Sequence, residues 1–252
     1  MHVCIVIPHY DHVDQFRSLL PALVAQGLPL IVVDDASPAA AYTLLEALLG
    51  EAAPDALLLR HPENRGKGAA VMTGFEAALE AGYSHALQID ADGQHSTADI
   101  PAFCAAAREF PDGIVCGRPV FDQSVSKLRY YARYITLGFC WLECMSTEIE
   151  DAMCGFRVYP IRPVLALGAH ASFGQRMTFD PEILVRASWA GMPLQFIAID
   201  VRYPDNGRSH FRYWRDNVEI SWMHTRLLAG MLLRLPVLLW RRVSGTRRGA
   251  QT

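Results

Sequence analysis

Asp90 and Asp92 follow directly on the apolar run His85–Ile89, with Gln94 two residues further on. Two carboxylates at alternate positions of a strand exit can both reach one hard cation, and an amide oxygen can join them. Mg2+ or Mn2+ accepts so incomplete a protein set because water and substrate phosphates fill the rest of its octahedron. A solvated Asp-Gly turn would use the same residue types at Asp92-Gly93, but the position after an apolar run favours the cation. His95 is the one histidine inside this motif; His9 and His12 lie near the exit of the first apolar run.

Four further groups offer chemistry. Asn64-Arg65-Gly66-Lys67-Gly68 opens a helical pattern with two glycines and two cations, and amides at a helix N-terminus attract anions. It contains neither GxxxxGK[ST] nor GxGxxG. Asp34-Asp35 closes the second apolar run, where an acid typically meets a ribose hydroxyl or a base edge; as an N-cap, Asp35 or Ser37 would serve the following helix. Glu150-Asp151 precedes Cys154-Gly155-Phe156-Arg157, so Asp151 is either a general base or acceptor anchor, or an acid paired with Arg157. Arg118, Arg129 and Arg133 suit an acceptor phosphate, and equally a solvated helix face.

The elements that must position these residues alternate. Val3–Ile7, Leu30–Val33, Ala56–Leu59, His85–Ile89 and Gly113–Cys116 read as short strands. Val13–Ala25, Ala39–Leu49, Gly68–Ala81 and Thr97–Phe110 read as helices between them. This alternation predicts an α/β fold with a mostly parallel central sheet flanked by helices, its strands buried on both faces. Beyond it, Lys127–Cys144 and Pro181–Ala190 read as helices, Phe156–Tyr159 and Leu194–Val201 as strands, and Asn217–Trp240 as one long apolar helix. Ligands of such sheets sit outside the carboxyl ends of the strands. The polar and glycine-rich segments named above follow those ends, so they converge on one edge.

In this order the motifs resemble a family 2 glycosyltransferase with a GT-A fold, over about residues 3–211. Pro8-His9-Tyr10-Asp11 is similar to the opening P-x-Y-N. Val32-Val33-Asp34-Asp35-Ala36-Ser37 resembles V-V-D-D-x-S, Asn64–Gly68 resembles N-x-G-K-G, and Asp90-Ala91-Asp92 resembles D-x-D. Asp151 with Gly155-Phe156-Arg157, together with Gly117-Arg118 and Gly207-Arg208-Ser209, resembles the dolichol- and polyprenol-phosphate sugar transferase branch. The resemblance implies that Pro8, Tyr10, Val33, Asp35 and Lys67 bind a nucleotide-diphosphate sugar along with Asp90 and Ala91. It implies Mg2+ or Mn2+ on Asp90, Asp92 and Gln94, and an acceptor phosphate on Arg118 and Arg129. Lys127 and Arg133 compete with Arg129 by spacing, and His12 stands where the branch often has Glu. Inverting transfer to a lipid-linked acceptor, a polyprenyl phosphate, is the expectation, with Asp92 and Asp151 as catalytic residues. The alternatives are a hydroxyl acceptor on a lipid, glycan or small metabolite and, more distantly, a non-catalytic GT-A scaffold. These motifs specify neither the sugar nor an oligomeric state.

A composition of 51% hydrophobic and 19% charged residues excludes a disordered chain. Six cysteines without a CxxC pair argue against a zinc ribbon or a disulfide framework. The opening residues lack a charged leader, so a cytoplasmic protein is expected. The net charge of −3 divides into −10 over residues 1–201 and +7 over residues 202–252. Residues 1–213 are read as the catalytic domain, and 214–252 as an amphipathic helix with a basic tail. An anionic membrane surface is its expected partner and nucleic acid is not; the alternative is a helix packed on the catalytic domain. Arg226, Arg234 and Pro236 interrupt the helix, so a membrane span is not expected.

Overall fold

The run Val3–Ile7 becomes the interior strand β1 (Val3–His9), shielded along its whole length as a strand covered by helices on both faces must be. The computed structural model describes residues 1–120, 127–169, 173–201 and 213–243. After β1 come α1 (Val13–Val24), β2 (Leu30–Asp34), α2 (Ala39–Ala52), β3 (Leu57–Arg60), α3 (Lys67–Glu80), β4 (His85–Gln88) and α4 (Ile100–Glu109). Then follow β5 (Ile114–Val120), α5 (Lys127–Cys144), β6 (Arg157–Pro160), α6 (Ile161–Ala169), α7 (Phe179–Ala190), β7 (Leu194–Asp200) and α8 (Tyr213–Val243).

Among the described residues the strands form one seven-stranded sheet in the order β3-β2-β1-β4-β6-β5-β7. β6 alone is antiparallel to its neighbours, pairing Gln88 with Arg157 on one side and Cys116 with Arg157 on the other. Side chains alternate between two apolar layers. Cys4 and Val6 join α3, α5, α6, α7 and α8 on one face. Val3, Ile5 and Ile7 join α1, α2 and α4 on the other.

Four expectations change. The edge strands β3 and β7 are only partly buried, since each has a neighbour on one side only. The pattern Thr97–Phe110 divides into a 3-10 turn, Thr97–Asp99, and α4, where Pro101 sits at the helix start. Helix α6 went unread because it starts directly where β6 ends. The reversed direction of β6 could not be seen in its apolar pattern, and it is functionally decisive. It carries residues 151–156 to the same edge as the ends of β1, β2 and β4.

Helix α8 packs inward through Met223, Leu227, Met231 and Leu238. His224 Nδ1 lies 2.7 Å from the buried Glu143 of α5. Its outward face is unusually apolar: Trp214 is 81% and Leu233 83% exposed, with Trp222, Val237 and Trp240 also outside. Among the described residues no helix is long and apolar enough to cross a membrane. All six cysteines are buried and free.

Candidate active site

The first two strand exits are stitched together by acids. Pro8 and Val33 are register partners in the sheet and both are buried. Tyr10 follows β1 and is half-buried. Asp34 accepts the Ser37 N–H at 3.0 Å and lies 3.1 Å from His9 Nδ1. The Asp11 N–H donates to Ser37 Oγ at 2.9 Å. Neither Asp35 nor Ser37 caps α2, whose N-cap is Pro38; both are used to join loops instead.

Asp35 is buried, and it organises the next loop. It accepts the N–H groups of Arg65 (2.8 Å) and Gly66 (2.6 Å) and lies 2.7 Å from His61 Nδ1. Two of the amides that open α3 are already engaged, because Gly68 and Ala69 both donate to the Gln175 carbonyl. That contact explains the glycines. A Cβ at Gly66, where φ is +99°, would stand 2.4 Å from the Gln175 oxygen, and one at Gly68 would stand 2.6 Å from the Gly174 oxygen. The full positive charge at this turn is carried by the Lys67 side chain.

Lys67 Nζ lies 2.8 Å from Asp90 Oδ2 and 2.9 Å from Asp180 Oδ2. Burial works against its charge, but the Asp180 and Asp90 carboxylates more than offset this and raise its pKa. Burial likewise opposes ionisation of Asp90, yet Lys67 brings that carboxyl below its ordinary value. Gly155 makes the cluster possible, since a Cβ there would come within 2.5 Å of Nζ and 2.6 Å of Asp90 Oδ2. Beneath it the fully buried Arg157 donates to the Asp180 carbonyl (2.8 Å), the Ala152 carbonyl (3.0 Å) and Tyr159 Oη (3.2 Å). Asp180 lies just before the helix that the sequence places at Pro181–Ala190, whereas α7 begins at Phe179. Its burial at the start of α7 demands a partner, a demand visible only once the chain is folded.

The donor set fits a hard cation. Asp90 Oδ1 is buried without a hydrogen-bond partner among the described residues, an arrangement that an additional ligand would satisfy. Burial, with Asp90 beside it, pushes the Asp92 carboxyl up to about 6. Asp92 Oδ1 accepts the Gln94 N–H at 3.0 Å, and the Gln94 side chain is half-buried at the same rim, whereas Ala91 between the acids is buried. Among the described residues no three His, Cys, Asp or Glu side chains form a metal cluster. A cation here would need exogenous oxygens besides the two carboxylates and the Gln94 amide. His95 stacks on Phe156 with ring centroids 5.6 Å apart, and burial lowers its pKa.

Asp151 pairs with Arg133, not with Arg157. Its carboxylate receives Arg133 Nε and Nη2, the latter at 2.7 Å, and also the N–H groups of Met153 (3.0 Å) and Cys154 (2.7 Å). Arg118, at the end of β5, pairs with Glu150 at 3.1 Å, and both side chains are about half exposed. Arg129 and Lys127 lie in the first turn of α5, but their side chains fall outside the described residues, as does the whole Gly207-Arg208-Ser209 motif. The structure thus brings together Lys67, Asp90 and Asp92, and sets the Arg118 and Arg133 pairs at the start of the segment that leads to Gly155.

A family model for glycosyl transferase family 2 matches residues 4–163. The chain is 25% identical over 214 residues to an undecaprenyl-phosphate mannosyltransferase of Micrococcus luteus, covering 78% of this chain and 84% of that protein. It is 29% identical over 222 residues to a dolichyl-phosphate beta-glucosyltransferase of Trichomonas vaginalis, covering 79% of this chain and 65% of that protein. Among solved structures, a mycobacterial protein superposes with a TM-score of 0.66 at 16% identity, over 92% of this chain and 74% of that one. Staphylococcus aureus TarS 1–349 in complex with UDP-GlcNAc superposes at 0.60 and 14% identity, over 98% and 74%. The fold is of the GT-A kind, and the match over more than half of its length establishes that this chain is a glycosyltransferase belonging to glycosyl transferase family 2.

Proposed function

We propose that the protein transfers a sugar, with inversion, from a nucleotide-diphosphate sugar to a lipid-linked acceptor, and that the acceptor is a polyprenyl phosphate. The names of the relatives point the same way. The observation that carries the choice of acceptor is the state of Asp151. A hydroxyl acceptor needs a general base, and Asp151 has its carboxylate occupied by Arg133 and two backbone amides. A phosphate acceptor is already an anion and needs no such base. Asp151 then acts as the anchor of Arg133.

In this reading Asp90, Asp92 and Gln94 would hold Mg2+ or Mn2+, which when bound would supply positive charge for the departing nucleoside diphosphate. Lys67 adds an ammonium beside it. Pro8, Tyr10, Val33 and Asp35 hold the nucleoside, Ala91 backs the diphosphate, and Arg118 with Arg129 grips the acceptor phosphate. The apolar outward face of α8, with Trp214, Trp222 and Trp240 exposed, lies on the cytoplasmic face of an anionic membrane as a peripheral attachment.

The test offers UDP- and GDP-linked sugars together with a short-chain polyprenyl phosphate or the corresponding polyprenol. Transfer to the phosphate alone, dependent on Mn2+ and lost in Asp92→Ala, is the expected result. Transfer to the polyprenol, with Asp151→Asn lowering turnover more than about 100-fold, would instead make Asp151 a base and the acceptor a hydroxyl.

A further inference from the structure

The ammonium of Lys67 stands against Asp90, one of the two carboxylates that would receive a divalent cation. It donates to Asp90 Oδ2 at 2.8 Å while Asp90 Oδ1, on the same carboxylate, is buried and unpartnered. A divalent cation approaching Oδ1 meets that ammonium across a single carboxylate, and the two repel. The structure supplies a second resting place, because Asp180 Oδ2 holds the same Nζ at 2.9 Å. Asp180 is itself steadied from behind, its Oδ1 standing 3.5 Å from Gln88 Nε2 and 4.0 Å from Arg157 Nη1. Gly155 places no side chain over the ammonium; a Cβ there would come within 2.5 Å of it.

We propose that Asp180 is a positioning residue for cation binding: it takes over the Lys67 ammonium when a divalent cation occupies Asp90, and so sets the affinity of the site. Lys67 serves as the counter-ion of Asp90 while the cation is away, which keeps a buried carboxylate paired. It remains beside the site afterwards, bound by Asp180. In this role Asp180 acts through Lys67, which its carboxylate holds directly. The inference rests on the metal-dependent reading above.

The test is direct Mn2+ binding to the full-length protein, followed by the loss of the free Mn2+ EPR signal, with no turnover involved. Asp180→Asn keeps the shape of the side chain but removes its charge, leaving the ammonium on Asp90 alone. Mn2+ affinity is expected to fall by about fivefold or more, the size of effect common between contacting charged groups. Lys67→Met removes the competitor, and Mn2+ affinity is expected to rise. In the Lys67→Met background, adding Asp180→Asn is expected to change affinity by less than about twofold, because no ammonium remains to be held. An Asp180→Asn variant that binds Mn2+ as wild type does, or one that costs the same with and without Lys67, overturns the inference alone. A wild-type protein that binds no Mn2+, with or without nucleoside diphosphate, overturns the metal-dependent reading and this inference with it. Since Lys67→Met leaves Asp180 beside Arg157, its effect also tests the inference if Asp180→Asn does not fold.

Discussion

Replacing Asp92 by Asn is expected to abolish cation binding and yet to stabilise the metal-free protein at neutral pH. Burial, reinforced by the Asp90 carboxylate, pushes the Asp92 carboxyl from its ordinary 3.8 up to about 6. The folded protein therefore holds this proton more tightly than the unfolded chain does. Stability owed to Asp92 is fully present below pH 4 and is lost as pH rises through 6. Above that, the charged side chain costs up to about 3 kcal/mol, at about 1.4 kcal/mol for each pH unit of difference. Water at the rim reduces this to about 1–2 kcal/mol. Asn retains an oxygen for the Gln94 N–H, now at 3.0 Å, and carries no charge. In urea unfolding with EDTA, Asp92→Asn should be the more stable protein at pH 8, by about 1–2 kcal/mol, and the gain should vanish by pH 4. Mn2+ should then stabilise the wild type and leave the variant unchanged. Equal stabilities at pH 8, or a gain that persists unaltered at pH 4, would refute the argument that Asp92 is held in a proton-favouring site.

The same geometry bears on other side chains. Arg157→Met should destabilise the fold by about 3–5 kcal/mol in urea, because the buried Ala152 and Asp180 carbonyls lose their donors and Asp180 keeps only Lys67 as a cation. Gly155→Ala should lower turnover by about 10- to 100-fold in a sugar-transfer assay, since its Cβ forces Lys67 and Asp90 apart. Asp151→Asn should lower melting temperature and turnover together without moving the pH profile of the reaction, as expected for the anchor of Arg133. Replacing Trp214, Trp222 and Trp240 together by Ser should weaken co-sedimentation with anionic vesicles several-fold while leaving the melting temperature near that of wild type. These side chains face outward, whereas truncating α8 would strip Met223 and Leu227 from the core.

Much of this protein is legible in one dimension. The apolar runs of β1, β2 and β4 are long enough and bounded sharply enough to be strands, and helical spacing between them admits little but parallel crossovers. Asp90 and Asp92 were visible for the same reason: strand exits collect at one edge of such a sheet, so local sequence places them together. Lys67 could be placed near them by its glycines.

What only the folded chain decides is which charges meet. Asp180 lies 113 residues from Lys67 in sequence, and no local pattern binds an acid before a proline to a lysine so far away. Asp151 illustrates the same limit. Its sequence neighbourhood offers Arg157, but β6 turns that guanidinium into the core toward Asp180 and Tyr159, leaving Arg133 of α5 to reach Asp151 instead. The direction of β6 is the root of both outcomes. An apolar strand of four residues reads alike in either direction, and only pairing with β4 and β5 shows that it runs against them. Periodicity thus determines the layers and the edge, because burial is a local demand on each element. The pairing of buried charges is a tertiary demand, met wherever the packed chain brings a partner within hydrogen-bond reach.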